Sequence, residues 1–209
     1  MRQTSAIIPF IALVMLIAGC VSTEYEMCVS PDKKQAGAAY EYEDCTVRYT
    51  SPDLSVEATH LPPNGLALYY SAFKDGAYKN PFSPKGFLVF SLRLENKGKK
   101  TLTYDPKSTF IMTSGPNPLH VMDISSIYMD FEIARLEDAR ERMDAVKAAC
   151  FDTMQVIEPG QRMQGLIVFQ RRDDVGNGAS LVLDGLYTGG EAQKVIMVFK
   201  RGLAVKDDE

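Results

Sequence analysis

The 209-residue chain has no tryptophan, only two histidines and only four cysteines. His60 and His120 each lie beside prolines, and neither has the further ligands at standard spacing that a zinc site needs, so no metal is expected. No Gly-x-Ser-x-Gly elbow, no P-loop and no Gly-x-Gly-x-x-Gly turn occurs. Their absence removes the usual signatures of serine hydrolases and of phosphate-cradling nucleotide sites. No catalytic residue and no cofactor are read from the sequence. Basic excess is also missing, with 23 Lys and Arg against 27 Asp and Glu. Nucleic-acid binding, which needs a clustered basic face, is therefore excluded from the expectation, as is adhesion to a membrane by charge alone. The apolar run at residues 7–17 contains Pro9 and is too short for a stable spanning helix.

What is present points first to location. A charged start, Met1-Arg2, precedes that apolar run, and Ile17-Ala18-Gly19-Cys20 follows it. This is the pattern of a bacterial lipoprotein signal, with Cys20 as the lipidation site and residues 1–19 as the leader. A lipid on Cys20 would then hold the mature chain to the membrane, because stable anchoring takes about two hydrophobic signals or more. Val21 stands where an aspartate typically retains a lipoprotein in the inner membrane. By resemblance to that sorting rule, the periplasmic side of the outer membrane is expected if the cell is Gram-negative. A Gram-positive cell surface stays open as the alternative. Residues 20–39 read as the lipidated N-terminus and tether.

Beyond the inner membrane the compartment is oxidising, so a disulfide is permitted. Cys28 and Cys45 flank a polar stretch and are the expected pair, worth about 3 kcal/mol in the chain-entropy model. Two unpaired thiols are the alternative. Cys150 reads as a small buried hydrophobe at a helix end.

Residues 40–205 read as one mainly β domain. Residues 54–58 alternate with period two, Leu61-Pro62-Pro63-Asn64-Gly65 reads as a turn, and residues 65–73 read as a further strand. Residues 87–95 are the strongest strand signal, with Leu88, Phe90, Leu92 and Leu94 on the core face. Short strands follow at 101–104, 109–113, 163–171, 181–183 and 195–199, and Gly-Asn-Gly within residues 173–178 is a hairpin signal. Residues 123–149 lack Gly and Pro and predict one helix, N-capped by Asp123 or Ser125, with Asp138 and Arg142 spaced to pair. Residues 206–209 are a polar tail.

The strand 87–95 running into Asn96-Lys97-Gly98, followed by Tyr104-Asp105-Pro106, Phe110, Glu158-Pro159-Gly160, Gly165 and Phe169, resembles the bacterial immunoglobulin-like-domain lipoproteins of unknown function. That group is related in fold to a secreted mycobacterial immunoprotective antigen. The resemblance covers roughly residues 66–199. It implies an immunoglobulin-like antiparallel β-sandwich, here with one inserted α-helix, and it supplies no catalytic residues.

The best surface candidate is aromatic: Tyr69, Tyr70 and Phe73, with Tyr78 and Phe82 behind them. These rings could meet a partner protein or a glycan, or simply pack in the core. The charged half of the helix is a second candidate. Its carboxylates Glu137, Glu141 and Asp144 lack the Gly-containing loop that calcium favours and read as a solvated face. The expected role is a lipid-anchored, non-catalytic protein-binding or structural module of the cell envelope. The alternative is a small-ligand or metal-binding accessory protein of an envelope transport or assembly system.

Overall fold

The computed structural model describes residues 26–31, 39–43, 45–83, 86–171 and 178–204. Its strands are β1 (Glu26–Pro31), β2 (Tyr40–Glu43), β3 (Thr46–Thr50), β4 (Leu54–His60), β5 (Phe87–Asn96), β6 (Leu102–Tyr104), β7 (Thr109–Met112), β8 (Leu119–His120), β9 (Gln155–Ile157), β10 (Arg162–Gln170), β11 (Ala179–Thr188) and β12 (Glu191–Ala204). The helices are α1 (Pro63–Ala72), α2 (Ile124–Ile133) and α3 (Ala139–Ala149). Two antiparallel sheets form. One runs β10-β5-β4-β3-β2; the other runs β1-β12-β11-β6-β9, with β7 also on β11 and β8 on β7.

The sheets pack face to face. Strand β4 alternates strictly, burying Leu54, Val56, Ala58 and His60. Beside it β5 turns Leu88, Phe90, Leu92 and Leu94 inward, as the alternation predicts. From the other sheet come Leu102, Tyr104, Leu181, Leu183, Val195 and Phe199. Phe90 meets Phe199 at 5.1 Å between ring centroids and Phe169 edge-on at 6.1 Å. The β11–β12 hairpin closes through Gly189 and Gly190, with φ of 57° and 88°. A two-residue turn of that hand requires positive φ at both positions, which only glycine adopts freely.

A second cluster lies on the outer face of the five-stranded sheet. There Val89, Leu166 and Val168 from β5 and β10 are covered by Leu66 and Tyr70 of α1, Ile127 and Phe131 of α2, and Met143 and Val146 of α3. The protein is thus three-layered at this end, and β5 is buried on both faces. Asn96, fully buried at the end of β5, ties the two sheets together. Its Nδ2 donates to the carbonyls of Ile157 at 2.8 Å and Lys100 at 2.9 Å, and its Oδ1 accepts from the Gly98 amide at 3.1 Å.

Three sequence expectations need correction. Residues 65–73 do not form a strand; they belong mostly to α1, which begins at Pro63. Proline is favoured in the first helical turn, where its missing N–H is not needed, so the Pro62-Pro63 pair opens a helix instead of reversing the chain. The single helix at 123–149 is two helices, broken where Arg135 takes a left-handed φ of 52°. With α1 the described residues hold three helices in place of the one expected. The strands flanking the Gly-Asn-Gly hairpin signal, β10 and β11, lie in different sheets and do not pair, and residues 172–177 themselves lie outside the described residues. His60, the last residue of β4, is buried. The expected Asp123 cap forms, accepting from the Ser126 amide at 2.7 Å, and Arg142 pairs with Asp138 at 2.7 Å.

Candidate functional site

The aromatic residues singled out in the sequence do come together, on the helical side of the five-stranded sheet. Spacing of three and four along α1 turns Leu66 and Tyr70 inward and leaves Tyr69 and Phe73 half-buried at the rim. Tyr69 stacks on Phe73 at 5.5 Å, and Tyr70 meets Phe73 edge-on at 6.0 Å. Phe73 lies 6.1 Å from Tyr78, and Tyr70 lies 6.4 Å from Phe82. The chain of rings continues through Phe87 to Phe131 of α2. Tyr70 and Phe82 are buried, so the packing alternative holds for them; the packing belongs to the helical layer and not to the sandwich core. Tyr69, Phe73 and Tyr78 remain partly accessible.

The loop that carries Tyr78 and Phe82 is pinned from α3. Arg142 donates to the carbonyls of Pro81, at 2.8 Å, and Ser83 while holding Asp138. The Lys74 ammonium lies 5.5 Å from the Phe73 ring centre and 5.8 Å from that of Tyr78, within cation–π range. Burial pushes the Tyr69 hydroxyl up to about 12, with a smaller contribution from Cys150, and raises Tyr70 further. The Tyr70 hydroxyl is buried with no hydrogen-bond partner among the described residues. Cys150, free and at the C-terminal end of α3, packs against the same cluster; burial pushes its thiol well above the ordinary range, which opposes a nucleophilic role.

A second polar feature was not foreseen. Strand register places Glu41, Arg48, Glu57, Arg93 and Gln164 in one row across the outer face of all five strands. Arg48 bridges Glu41 at 3.2 Å and Glu57; Arg93 reaches Glu57 at 3.5 Å and donates to Gln164 at 3.1 Å. Hydrogen bonding to Glu57 raises the Arg48 pKa further. Arg162 pairs with Glu95 at 3.1 Å in the neighbouring row. A shallow depression of ≈ 200 Å³, lined by Glu41, Tyr42, Glu43, Thr46 and Arg48, opens at the β2 edge. The row is assembled by the register of β2 to β5 and of the distant β10, so no linear motif announces it.

His60 lies edge-on to Phe90 at 5.4 Å, and burial, with Arg171 nearby, lowers its pKa to about 4. His120 is exposed on β8, 5.9 Å from Phe110, in the other sheet. Among the described residues no three His, Cys, Asp or Glu side chains group as metal ligands. Glu137, Glu141 and Asp144 are exposed, as a solvated face should be. Cys45 is disulfide-bonded. Cys20 and the side chain of Cys28 fall outside the described residues. No described helix is long and apolar enough to cross a membrane.

No protein-family model matches the chain, and no curated protein matches it. Distant similarities exist among solved structures. A candidate lipoprotein, YcdA of Bacillus subtilis, is 15% identical at a TM-score of 0.40, over 74% of this chain and 38% of that one. The YjhA protein of Bacillus subtilis is 8% identical at 0.37, over 66% of this chain and 77% of that one. A protein of unknown function from Listeria monocytogenes EGD-e is 10% identical at 0.38, over 84% of this chain and 85% of that one.

Proposed function

We propose that this chain is a lipid-anchored lipoprotein of the cell envelope, serving as a non-catalytic protein-binding or structural module on an immunoglobulin-like sandwich. The observation that carries the reading is Ile17-Ala18-Gly19-Cys20 behind a charged start and a short apolar run. The disulfide at Cys45 supports it, because such bonds persist outside the reducing cytosol. The non-catalytic part of the reading rests on the chemistry of the side chains. His60 is buried against Phe90 and held neutral, His120 stands in the other sheet, and the carboxylates of Glu41, Glu57 and Glu95 are committed to arginines. A neutralised ion-pair row does not present a poised acid or base.

The partner surface in this reading is the accessible rim of Tyr69, Phe73 and Tyr78. The test is crosslinking in intact cells followed by mass spectrometry, comparing wild type with a soluble form lacking Cys20. An envelope protein joined through residues 69–82 in the wild type supports the module. The same yield and partners from a Tyr69→Ala/Tyr78→Ala form would overturn the assignment of that surface. The small-ligand reading is favoured by one observation, the unpartnered Tyr70 hydroxyl inside an apolar cluster, since ligand sites combine apolar walls with a few polar groups. A small molecule found by native mass spectrometry of the purified protein would favour that reading.

A further inference from the structure

Helix α1 sits over β5 and β10 with three weak points. The Tyr70 hydroxyl, on a residue only 1% exposed, has no hydrogen-bond partner among the described residues. The helix starts after Pro62 with no side-chain cap and no acidic residue in its first turn. It ends in a turn where Lys74 and Asp75 take φ of 46° and 57° ahead of Gly76 at 74°. Two successive non-glycine residues in the left-handed region are sterically disfavoured, and such strain persists only where neighbours enforce it. The sandwich is built differently. Buried Tyr104 bonds Thr109 at 2.9 Å, and all three polar contacts of Asn96 are made. Beneath α1 lie the apolar side chains of Val89, Leu166 and Val168, with the free thiol of Cys150 packed against the same cluster.

We propose that α1 and its left-handed turn form a hinged cover that opens independently of the sandwich. Opening uncovers the apolar outer face of β5 and β10 and widens access to Cys150, which is partly exposed with the cover closed. One hinge is the bond from the Leu61 amide to the Val89 carbonyl, 2.9 Å, where the chain leaves the sheet; the other is Gly76. The inference does not depend on lipidation at Cys20.

The test is the rate at which Cys150 is alkylated in the folded full chain in detergent, read by mass spectrometry of its own peptide. Tyr70→Phe removes the unpartnered hydroxyl, and Asp75→Gly relieves the turn; each should slow alkylation by about tenfold. Leu66→Ala, which loosens the cover, should speed it. Val195→Ala thins the sandwich core, where Val195 is 1% exposed, and should leave the rate nearly unchanged. Low urea should likewise change the rate little, because local opening exposes little surface. Amide hydrogen exchange should run faster in α1 than in β5. Alkylation that responds to Val195→Ala as strongly as to Leu66→Ala, or that follows the urea slope of global unfolding, would overturn the proposal. So would rates insensitive to both Tyr70→Phe and Asp75→Gly.

Discussion

Replacing Asn96 by alanine removes the one side chain that bonds across from the end of β5 to the other sheet at Ile157. The Ile157 and Lys100 carbonyls lose this partner, while the Gly98 amide keeps its bond to the Asp53 carbonyl at 3.0 Å. The Ile157 bond is buried, whereas the Lys100 bond is only partly so, and its carbonyl can recover water. At about 1–3 kcal/mol for the buried carbonyl left unsatisfied and about 1 kcal/mol for the partly buried bond, Asn96→Ala should destabilise by about 2–4 kcal/mol. That is a large share of the roughly 5–15 kcal/mol of a typical domain. Equilibrium urea unfolding is the assay. With a slope of about 2 kcal/mol/M the midpoint should fall by roughly 1–2 M. Asn96→Asp keeps the shape but aims a carboxylate at two carbonyl oxygens, so at neutral pH it should be at least as damaging and should recover partly in acid. A loss below about 1 kcal/mol in Asn96→Ala would refute the claim that this amide fixes one sheet to the other.

Other consequences follow from burial and register. His60 is neutral in the folded chain, with its pKa lowered from 6.5 to about 4, so the unfolded chain binds the proton more readily. Stability should be flat above pH 6.5, fall by up to about 3 kcal/mol between pH 6.5 and 4, and lose that slope in His60→Gln; an unchanged slope in the variant would assign it elsewhere. A Cβ on Gly185 would stand 2.3 Å from the Asp105 carbonyl oxygen, beside a β-bulge in β11. Gly185→Ala should therefore cost more than about 2 kcal/mol in thermal unfolding, and a neutral result would contradict that close approach. Non-reducing peptide mapping should join Cys45 to Cys28, with reduction costing about 2–4 kcal/mol; Cys45 linked to any other cysteine would disprove the pairing.

The strands were legible wherever one face of a sheet is buried, because alternation then survives in the sequence. Leu54 to His60 is the clearest case, whereas β5, buried on both faces over much of its length, was legible as a long run rich in apolar strand-forming residues. Residues 65–73 misled for the opposite reason. A short, almost wholly apolar stretch carries no decisive period, and the Leu66–Tyr70–Phe73 spacing of a helix was outweighed by a Pro-Pro-Asn-Gly sequence that reads as a turn. The break at Arg135 had no glycine or proline to mark it; the thinning of the apolar stripe beyond it was the only sign. The aromatic cluster was visible as composition, but which rings are buried depends on α1 lying over β5 and β10, a long-range contact that no window of sequence encodes. The ion-pair row and the role of Asn96 were hidden for the same reason, since each depends on which strands become neighbours.

The most direct test of the central claim is mass spectrometry of the N-terminal peptide of the full-length protein extracted from cell membranes. The account predicts a peptide that begins at Cys20 and carries a diacylglycerol, and its loss in Cys20→Ala. A membrane-derived protein that still begins at Met1, or an unmodified Cys20, would contradict the lipid anchor on which the envelope role depends.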